Sequence, residues 1–265
     1  VLFDDNGISI DGSTDLTVSD DTTARFDAYG WQVLTVDGHD MDAVSEAISI
    51  AKVDACSPSL LRCKTVIGFG APTKAGTSGI HGAPLGSEEI SGARAALGWD
   101  HAPFEIPAEI VASWRNVGSR GSAARAKWQA RYDASDTADY DKAMSGDWDM
   151  EVEDAVQQWK ASLAAEPQKI ATRVASQKAL EVILPACPAI FGGSADLTGS
   201  NNTRVGAHEI FSKDNYAGSY VHYGVCEHGM AAAMNGISLH GGSIPYGATF
   251  LVFTDYCRPS IRLSA

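Results

Sequence analysis

Several groups of residues in the sequence have side chains suited to binding or catalysis. Asp4, Asp5 and Asn6 offer hard oxygen donors directly after an apolar run, and such donors suit Mg²⁺ or Ca²⁺. The same three residues also favour an ordinary turn, which is the commoner use of Asp and Asn. His81 lies in the glycine-rich segment 68–86, where it either donates a hydrogen bond to a phosphate or bonds only to its own turn.

A carboxyl group and an aromatic series occur farther along the chain. Glu227 stands at the predicted start of a helix, where it is a candidate site residue, although a glutamate in a first turn ordinarily complements the helix dipole. Phe250, Phe253 and Tyr256 recur every three residues. This spacing indicates either an aromatic wall against a flat heterocycle or ordinary core packing.

Arg173 and Ser200 form a candidate anion-binding pair, although each residue type is most often a solvated surface group. The sequence has no G-x-S-x-G, H-E-x-x-H, P-loop or G-x-G-x-x-G motif. The residues alone therefore support phosphate and metal oxygen ligands, without a specific reaction.

The spacing of apolar residues predicts the elements that must position these groups. A strand, a helix and a second strand follow one another, which is typical of a βαβ unit with parallel strands: Trp31–Val36, Met41–Lys52 and Leu60–Ile67. Ser19 is predicted to cap a helix over 20–29, and 246–253 is predicted to be a strand. A second α/β region begins near Lys169. The fold class is therefore α/β, and the chain is interpreted as the C-terminal part of one α/β domain joined to the N-terminal part of another.

Composition excludes several classes of protein. The 265 residues carry 20 Lys and Arg against 33 Asp and Glu, a formal charge of −13, which argues against nucleic acid or an anionic membrane as the main partner. No apolar run approaches the roughly 18 residues of a membrane-spanning helix. Five cysteines without a C-x-x-C pair disfavour a disulfide framework or a zinc ribbon. We therefore expect a reducing, cytoplasmic location.

The two ends of the chain predict a fragment. The sequence starts without Met inside a strand-like run and stops inside an amphipathic pattern that has no helix-ending signal. We interpret the chain as an internal part of a longer protein.

Five segments together resemble the transketolase family, in the order and at about the spacings of that family. The segments are DDNGISIDG (4–12), KAGTSGIHGAPLG (74–86), FGGSADLTGSN (191–201), YVHYGVCEHGMAAAMNGISLHGG (220–242) and PYGATFLVF (245–253). The similarity is weakest over residues 115–165. The resemblance implies a parallel-sheet, thiamine diphosphate-binding α/β fold. It also implies three regions: the C-terminal part of a diphosphate-binding domain (1–134), a helical linker (135–168) and the N-terminal part of a pyrimidine-binding domain (169–265).

The resemblance implies an enzyme that moves a two-carbon ketol unit between sugar phosphates in the pentose phosphate pathway. It implies thiamine diphosphate with Mg²⁺ (or Ca²⁺) as cofactors. The side-chain oxygen of Asn6 and the backbone carbonyl of Ile8 resemble two metal ligands of the family, whose third ligand belongs to an upstream G-D-G motif absent here. Ile10 resembles the residue that packs on the thiazolium ring. His81 resembles the histidine at the diphosphate and reaction centre, with catalytic, cofactor-binding and substrate-binding roles.

The second half of the chain implies further site residues. Glu227 resembles the catalytic glutamate that hydrogen-bonds the aminopyrimidine ring nitrogen, where a carboxyl group stabilises the imino tautomer. Phe250, Phe253 and Tyr256 resemble the aromatic pocket of the family around the pyrimidine. Asp196 resembles the acidic residue near the cofactor, and Arg173 and Ser200 resemble the residues that accept the terminal phosphate of the sugar. The family also implies a homodimer whose two subunits share each active site.

The sequence departs from the family pattern at two positions. Cys226 stands where arginine is usual, and Gly199 stands where proline is usual. Because one metal ligand is missing, we expect these 265 residues alone to be inactive and to bind the cofactor weakly. The alternatives are a sister thiamine enzyme, such as dihydroxyacetone synthase or deoxyxylulose-phosphate synthase, and a non-catalytic docking fragment.

Overall fold

A computed structural model describes residues 1–265 as strands and helices in alternation. The eight strands are β1 (Leu2–Asp5), β2 (Ile8–Ser9), β3 (Gly12–Ser13), β4 (Gln32–Asp37), β5 (Ser59–Lys64), β6 (Ile190–Ser194), β7 (Tyr220–His222) and β8 (Ile244–Ala248). The α-helices are α1 (Thr22–Ala28), α2 (Met41–Val53), α3 (Ser87–Ala96), α4 (Ala108–Ser119), α5 (Ser122–Asp133), α6 (Ala138–Ser145), α7 (Asp149–Ala165), α8 (Thr172–Ala186), α9 (Thr198–Asn201), α10 (Glu227–His240) and α11 (Thr254–Ser264). The chain divides into unit 1, Val1–Arg120, and unit 2, Gly121–Ala265.

Unit 1 contains a parallel sheet with the strand order β1-β5-β4, which confirms the predicted βαβ arrangement. Helix α2 contacts β4 and β5, and its buried Ala47 packs with Leu61 and Cys63 of β5. Asp40 caps α2, because its side chain accepts hydrogen bonds from the backbone N–H groups of Asp42 and Ala43. The core therefore lies where the α2 face meets the sheet.

The predicted start of the first helix is wrong by two residues. Helix α1 begins at Thr22, and its cap is Asp21 rather than Ser19. The Asp21 carboxylate accepts hydrogen bonds from the N–H groups of Thr23 at 2.8 Å and Ala24 at 3.1 Å. A carboxylate that reaches two free N–H groups is the better cap at this position.

Unit 2 contains a second parallel sheet with the strand order β7-β6-β8. Helix α10 packs against β8, α11 packs against α10, and α7 packs against α8. The strand predicted over 246–253 is shorter, because β8 ends at Ala248, opposite Ser194, where its partner β6 also ends. The apolar run continues instead into a 3₁₀ helix, Leu251–Phe253.

Every helix of the chain is too short or too polar to cross a lipid bilayer. All five cysteines are free thiols, of which Cys56 and Cys226 are exposed. Asn6 follows β1, Asp196 follows β6 and Phe250 follows β8, so these candidates lie at the carboxyl edges of the two parallel sheets, where open parallel sheets bind ligands.

Candidate active site

The two acidic residues of the candidate oxygen cluster hold the sheet of unit 1 together. The Asp4 carboxylate accepts a hydrogen bond from the Thr65 hydroxyl. The Asp5 carboxylate accepts from Arg62 Nε at 2.5 Å and from Lys64 Nζ at 2.9 Å. Burial alone would raise the pKa of Asp5, but the bonds from Lys64 and Arg62 together outweigh it and lower that pKa below its ordinary value. Asp4 and Asp5 therefore tie β1 to β5, whereas the side-chain oxygen of Asn6 makes no bond between the strands.

A tight turn after β1 fixes Asn6 relative to Ile8. The Asn6 side-chain oxygen accepts the Ile8 N–H at 2.9 Å, and Gly7 between them has a φ of 70°, a left-handed conformation that favours glycine. The Gly7 carbonyl accepts the Thr14 N–H at 2.9 Å. An amide oxygen has a second lone pair, so this turn can present Asn6 Oδ1 to a hard cation without breaking.

Ile10 occupies the tip of the hairpin that follows this turn. Strands β2 and β3 pair antiparallel, and Ile10 lies in the two-residue connection between them. Its side chain is 73% exposed. An apolar side chain held out at a rigid hairpin tip is a suitable contact for an apolar ring.

The glycine-rich loop that carries His81 is held at several points. The Val66 N–H donates to His39 Nε2 at 2.8 Å, and the His39 ring stacks on Phe69 with centroids 3.9 Å apart. Farther on, Lys74 Nζ donates to the Leu85 carbonyl at 2.8 Å, which closes the loop around His81. His39 is not among the residues singled out from the sequence, although its position two residues after the end of β4, at the carboxyl edge, is a signal for it.

His81 itself is exposed at the end of the short 3₁₀ helix Ser78–Ile80. Its backbone N–H bonds the Ser78 carbonyl, whereas its imidazole makes no hydrogen bond within the chain. Gly68 permits this loop path, because a Cβ there would lie 2.2 Å from Ile80 Cδ1. The imidazole is therefore free to bind a ligand.

Glu227 is the first residue of α10 and is 8% exposed. The hydroxyl of Thr249 donates to Glu227 Oε1 at 3.3 Å, and this is the hydrogen bond that the chain supplies to the carboxylate. A carboxyl group this deeply buried with a single partner has acceptor capacity left for a further donor. Thr249 is not among the residues that the sequence pattern indicates, because the apolar run that continues to Phe253 conceals the end of β8 at Ala248.

The three aromatic residues after β8 form one continuous series. The ring centroids of Phe250 and Phe253 are 5.6 Å apart, and those of Phe253 and Tyr256 are 5.8 Å apart. Phe250 is 41% exposed and Tyr256 is 66% exposed. Core packing does not account for rings with this exposure, so the series is available to contact a flat ligand.

A cavity of about 460 Å³ within unit 2 includes Arg173. Asn201, Thr203 and Thr249 line the same cavity, so it reaches from the first turn of α8 to the partner of Glu227. Ser200 is exposed in α9 and immediately precedes Asn201. The structure therefore brings Arg173 and the Ser200 segment to one cavity, although Ser200 is not among the residues that line it.

Asp196 lies two residues beyond the end of β6, with a φ of 59°. Its side chain is exposed. The strand ends beside it are bonded together, because the Ala195 N–H donates to the Ala248 carbonyl at 3.0 Å and the Tyr223 N–H donates to the Ser194 carbonyl at 3.2 Å. Asp196 and the residues that follow β7 and β8 thus share the carboxyl edge of the unit 2 sheet.

Cys226 and Gly199, the two positions that depart from the family pattern, are both exposed. Cys226 is exposed immediately before α10 and forms no ion pair beside Glu227. Gly199 is exposed, and a Cβ at this position would meet no atom within 4 Å. Neither residue has a positive φ.

Family models match nearly the whole chain. The transketolase thiamine diphosphate binding domain matches residues 1–154, and the transketolase pyrimidine binding domain matches residues 168–265. The first match alone covers more than half of the chain.

Individual relatives agree with these matches. The chain is 52% identical to a transketolase of Cereibacter sphaeroides and 47% identical to transketolase 1 of Vibrio cholerae, with all of this chain covered in each case. Its structure superposes on a transketolase from Leishmania mexicana with a TM-score of 0.83 at 35% identity, covering 100% of this chain and 40% of the other. A Pichia stipitis transketolase, described as a complex with sedoheptulose 7-phosphate, gives a TM-score of 0.80 at 36% identity, with the same coverage of both chains.

The chain spans 40% of the length of the Cereibacter relative and 41% of the Vibrio relative. The matched segments include the turn with Asn6, the loop with His81 and the carboxyl edge with Glu227. On the strength of the domain matches and the parallel-sheet architecture, the chain belongs to the transketolase family.

Proposed function

We propose that the complete protein carrying these residues is a transketolase, which transfers a two-carbon ketol unit reversibly from a ketose phosphate to an aldose phosphate. The observation that carries the proposal is the buried carboxylate of Glu227, which is bonded to Thr249 beside the exposed aromatic series. Both features lie at the carboxyl edge of one parallel sheet. A role in pentose phosphate metabolism follows from this reaction.

The donor groups of the chain fit thiamine diphosphate and a divalent metal. Asn6 Oδ1 and the Ile8 carbonyl supply oxygen ligands suited to Mg²⁺, which takes few protein ligands and completes its shell with phosphate oxygens. Ile10 offers an apolar contact for the thiazolium ring, and the exposed aromatic series suits the pyrimidine. When bound, thiamine diphosphate supplies the carbon nucleophile of ketol transfer.

Several residues of the chain are proposed to bind the cofactor or the sugar, to orient these groups, or to share a proton with them. The Glu227 carboxyl would share a proton with the ring nitrogen of a bound aminopyrimidine, and the Thr249 hydroxyl holds that carboxyl in place. The free imidazole of His81 donates to the diphosphate or to a sugar hydroxyl. Arg173 and Ser200 would bind the terminal phosphate of the sugar, and Asp196 would lie near the cofactor. The guanidinium of Arg173 suits a phosphate because it presents several donors in a fixed plane.

A coupled assay of the complete protein with xylulose 5-phosphate and ribose 5-phosphate tests this function. We expect thiamine- and Mg²⁺-dependent formation of the seven-carbon product. Formaldehyde as the preferred acceptor would indicate dihydroxyacetone synthase instead, and condensation of pyruvate with glyceraldehyde 3-phosphate would indicate deoxyxylulose-phosphate synthase. No reaction with any of these substrates would support the docking alternative.

The complete protein is further proposed to act as a homodimer in which each active site takes residues from both subunits. Mixing a His81→Ala protein with a Glu227→Ala protein tests this arrangement, because neither substitution alone leaves a working site. With random pairing, half of the dimers are mixed and each has one intact site, so activity is expected to recover to about a quarter of wild type. The two unmixed variants are the controls, and no recovery after demonstrated subunit exchange would contradict shared sites.

A further inference from the structure

The segment between β6 and β7 has a backbone that needs support. Its first part, residues 195–209, carries both Asp196 and Ser200 and is named the Ser200 loop. Asp196 and Asn202 have φ values of 59° and 55°, although neither is glycine. Residues in this left-handed region cost free energy and persist only where the surrounding structure holds them.

Two tyrosines of the sheet, the buried Tyr220 and the half-buried Tyr246, hold the Ser200 loop. The Tyr220 hydroxyl lies 2.8 Å from Thr198 Oγ1 and 3.0 Å from Thr203 Oγ1, and Tyr220 is fully buried. The Tyr246 O–H donates to the Thr203 carbonyl at 3.0 Å. The loop is thus bonded to β7 through Tyr220 and to β8 through Tyr246.

His208 connects the end of the Ser200 loop to Tyr246. Its ring is 4% exposed, and Nδ1 accepts the Val205 N–H at 3.0 Å. Because Nδ1 is an acceptor, the proton of the neutral ring is on Nε2, which donates to the Tyr246 oxygen at 3.1 Å. The bonds therefore run in one direction, from Val205 through His208 and Tyr246 to Thr203.

We propose that His208 and Tyr246 are positioning residues, which fix the Ser200 loop and so set the affinity of the protein for the phosphate end of its sugar substrate. The proposal rests on the proposed function for the role of the loop, whereas the anchoring itself does not. Thr203 links the anchoring to the candidate phosphate site, because its carbonyl is hydrogen-bonded to Tyr246 and the residue lines the same cavity as Arg173. A loop that shifts at Thr203 moves this wall of the cavity and the neighbouring Ser200.

The anchoring requires a neutral His208. A proton on Nδ1 would set one N–H against the Val205 N–H and remove that bond. Burial lowers the pKa of His208, and the charge of Arg204 lowers it further. The other groups that face the ring are Tyr220 and Tyr246, while the carboxylate of the adjacent Glu209 accepts from Asn215 Nδ2 at 3.1 Å.

The direction of the pH effect follows from this lowered pKa. Above the ordinary value of 6.5 the ring is neutral in both the folded and the unfolded protein, so the network is intact. As the pH falls below 6.5, the unfolded chain takes up the proton first, and the folded network becomes progressively less stable. It is lost when the pH passes through the lower pKa of folded His208.

Tyr246→Phe in the complete protein tests the anchoring, because it removes one hydroxyl and keeps the ring. We expect hydrogen exchange in peptides covering 198–209 to become about tenfold faster, which corresponds to the loss of one or two buried hydrogen bonds. We also expect the KM for the phosphorylated ketose to rise about tenfold while kcat changes less than about twofold. Tyr216→Phe, on an exposed ring of the same unit, is the matched control and is expected to change neither value.

Two His208 variants separate anchoring from general packing. His208→Asn keeps an acceptor at the position of Nδ1 but cannot take up a proton, whereas His208→Leu keeps the volume and loses the acceptor. We expect the wild-type KM to rise as the pH falls through the lowered pKa of folded His208, His208→Asn to remove that rise, and His208→Leu to have the raised KM at every pH. Wild-type exchange rates over 198–209 in Tyr246→Phe and His208→Leu would overturn the anchoring. Faster exchange with unchanged KM would overturn the substrate role. Absence of ketol transfer in wild type would overturn the proposed function and leave the exchange result as the measure of anchoring.

Discussion

Replacing Glu227 by alanine is expected to lower the turnover of the complete protein by about 10² or more, the usual scale for the loss of an acid–base partner. Glu227 is 8% exposed and has one hydrogen bond within the chain, from Thr249. Its remaining acceptor capacity is what the proposed function assigns to the pyrimidine ring nitrogen. The measurement is steady-state ketol transfer at saturating thiamine diphosphate and Mg²⁺, so that weaker cofactor binding is not mistaken for slower chemistry.

Two further variants control this prediction. Glu227→Gln keeps the size of the side chain and can still hydrogen-bond, but it cannot share a proton in the same way, so it is expected to be much slower than wild type while its cofactor affinity falls less. Glu181→Ala removes an exposed carboxylate from α8 in the same unit and is expected to be neutral. Near-normal turnover of Glu227→Ala would show that another residue holds the ring nitrogen.

Replacing Gly193 by alanine is expected to destabilise unit 2 by about 3 kcal/mol or more, which is at the upper end for overpacking. Gly193 lies in β6, the central strand of its sheet, and is opposite Val221 of β7. A Cβ at this position would lie 1.8 Å from the Val221 carbonyl oxygen and 2.7 Å from its carbonyl carbon. Both atoms are backbone, so the contact is relieved only if the two strands move apart and lose their ladder hydrogen bonds.

Hydrogen exchange in peptides that cover 190–194 and 220–222 measures this effect locally in the complete protein. Gly236→Ala is the matched control, because a Cβ there meets nothing within 4 Å and the residue lies inside α10. Alanine in a helix is favoured over glycine, so this control is expected to stabilise by roughly 0.5–1 kcal/mol. Unchanged exchange in the Gly193→Ala protein would contradict the close packing of β6 against β7.

The parts of the fold that sequence predicts well are those set by local pattern. The apolar periods over 31–67 predict the βαβ unit because a strand and an amphipathic helix each repeat their buried residues over short distances. Boundaries are less accurate, as β8 shows. The apolar run to Phe253 gives no sign that the strand ends at Ala248, because that end is set by the length of its neighbour β6.

The candidate site likewise has parts that the sequence predicts and parts that it does not. The fold and the family matches support the resemblance found in the sequence, whereas the individual roles of Asn6, His81 and Glu227 are still predictions. Local sequence cannot show that Asp5 is paired with Lys64, 59 residues away, or that Thr249 reaches Glu227. Such contacts depend on which strands become neighbours, and they appear only once the sheet order is known.

The exposed thiol of Cys226 has a practical consequence. It directly precedes Glu227, so the natural chain already carries an attachment point for a fluorescent reporter beside the candidate pyrimidine contact. Within residues 1–265, Cys56 is the other exposed thiol, and a serine at that position would leave Cys226 as the exposed thiol of this part of the protein. A reporter on Cys226 would follow binding of the coenzyme optically, next to the carboxyl group that the proposed function assigns to it.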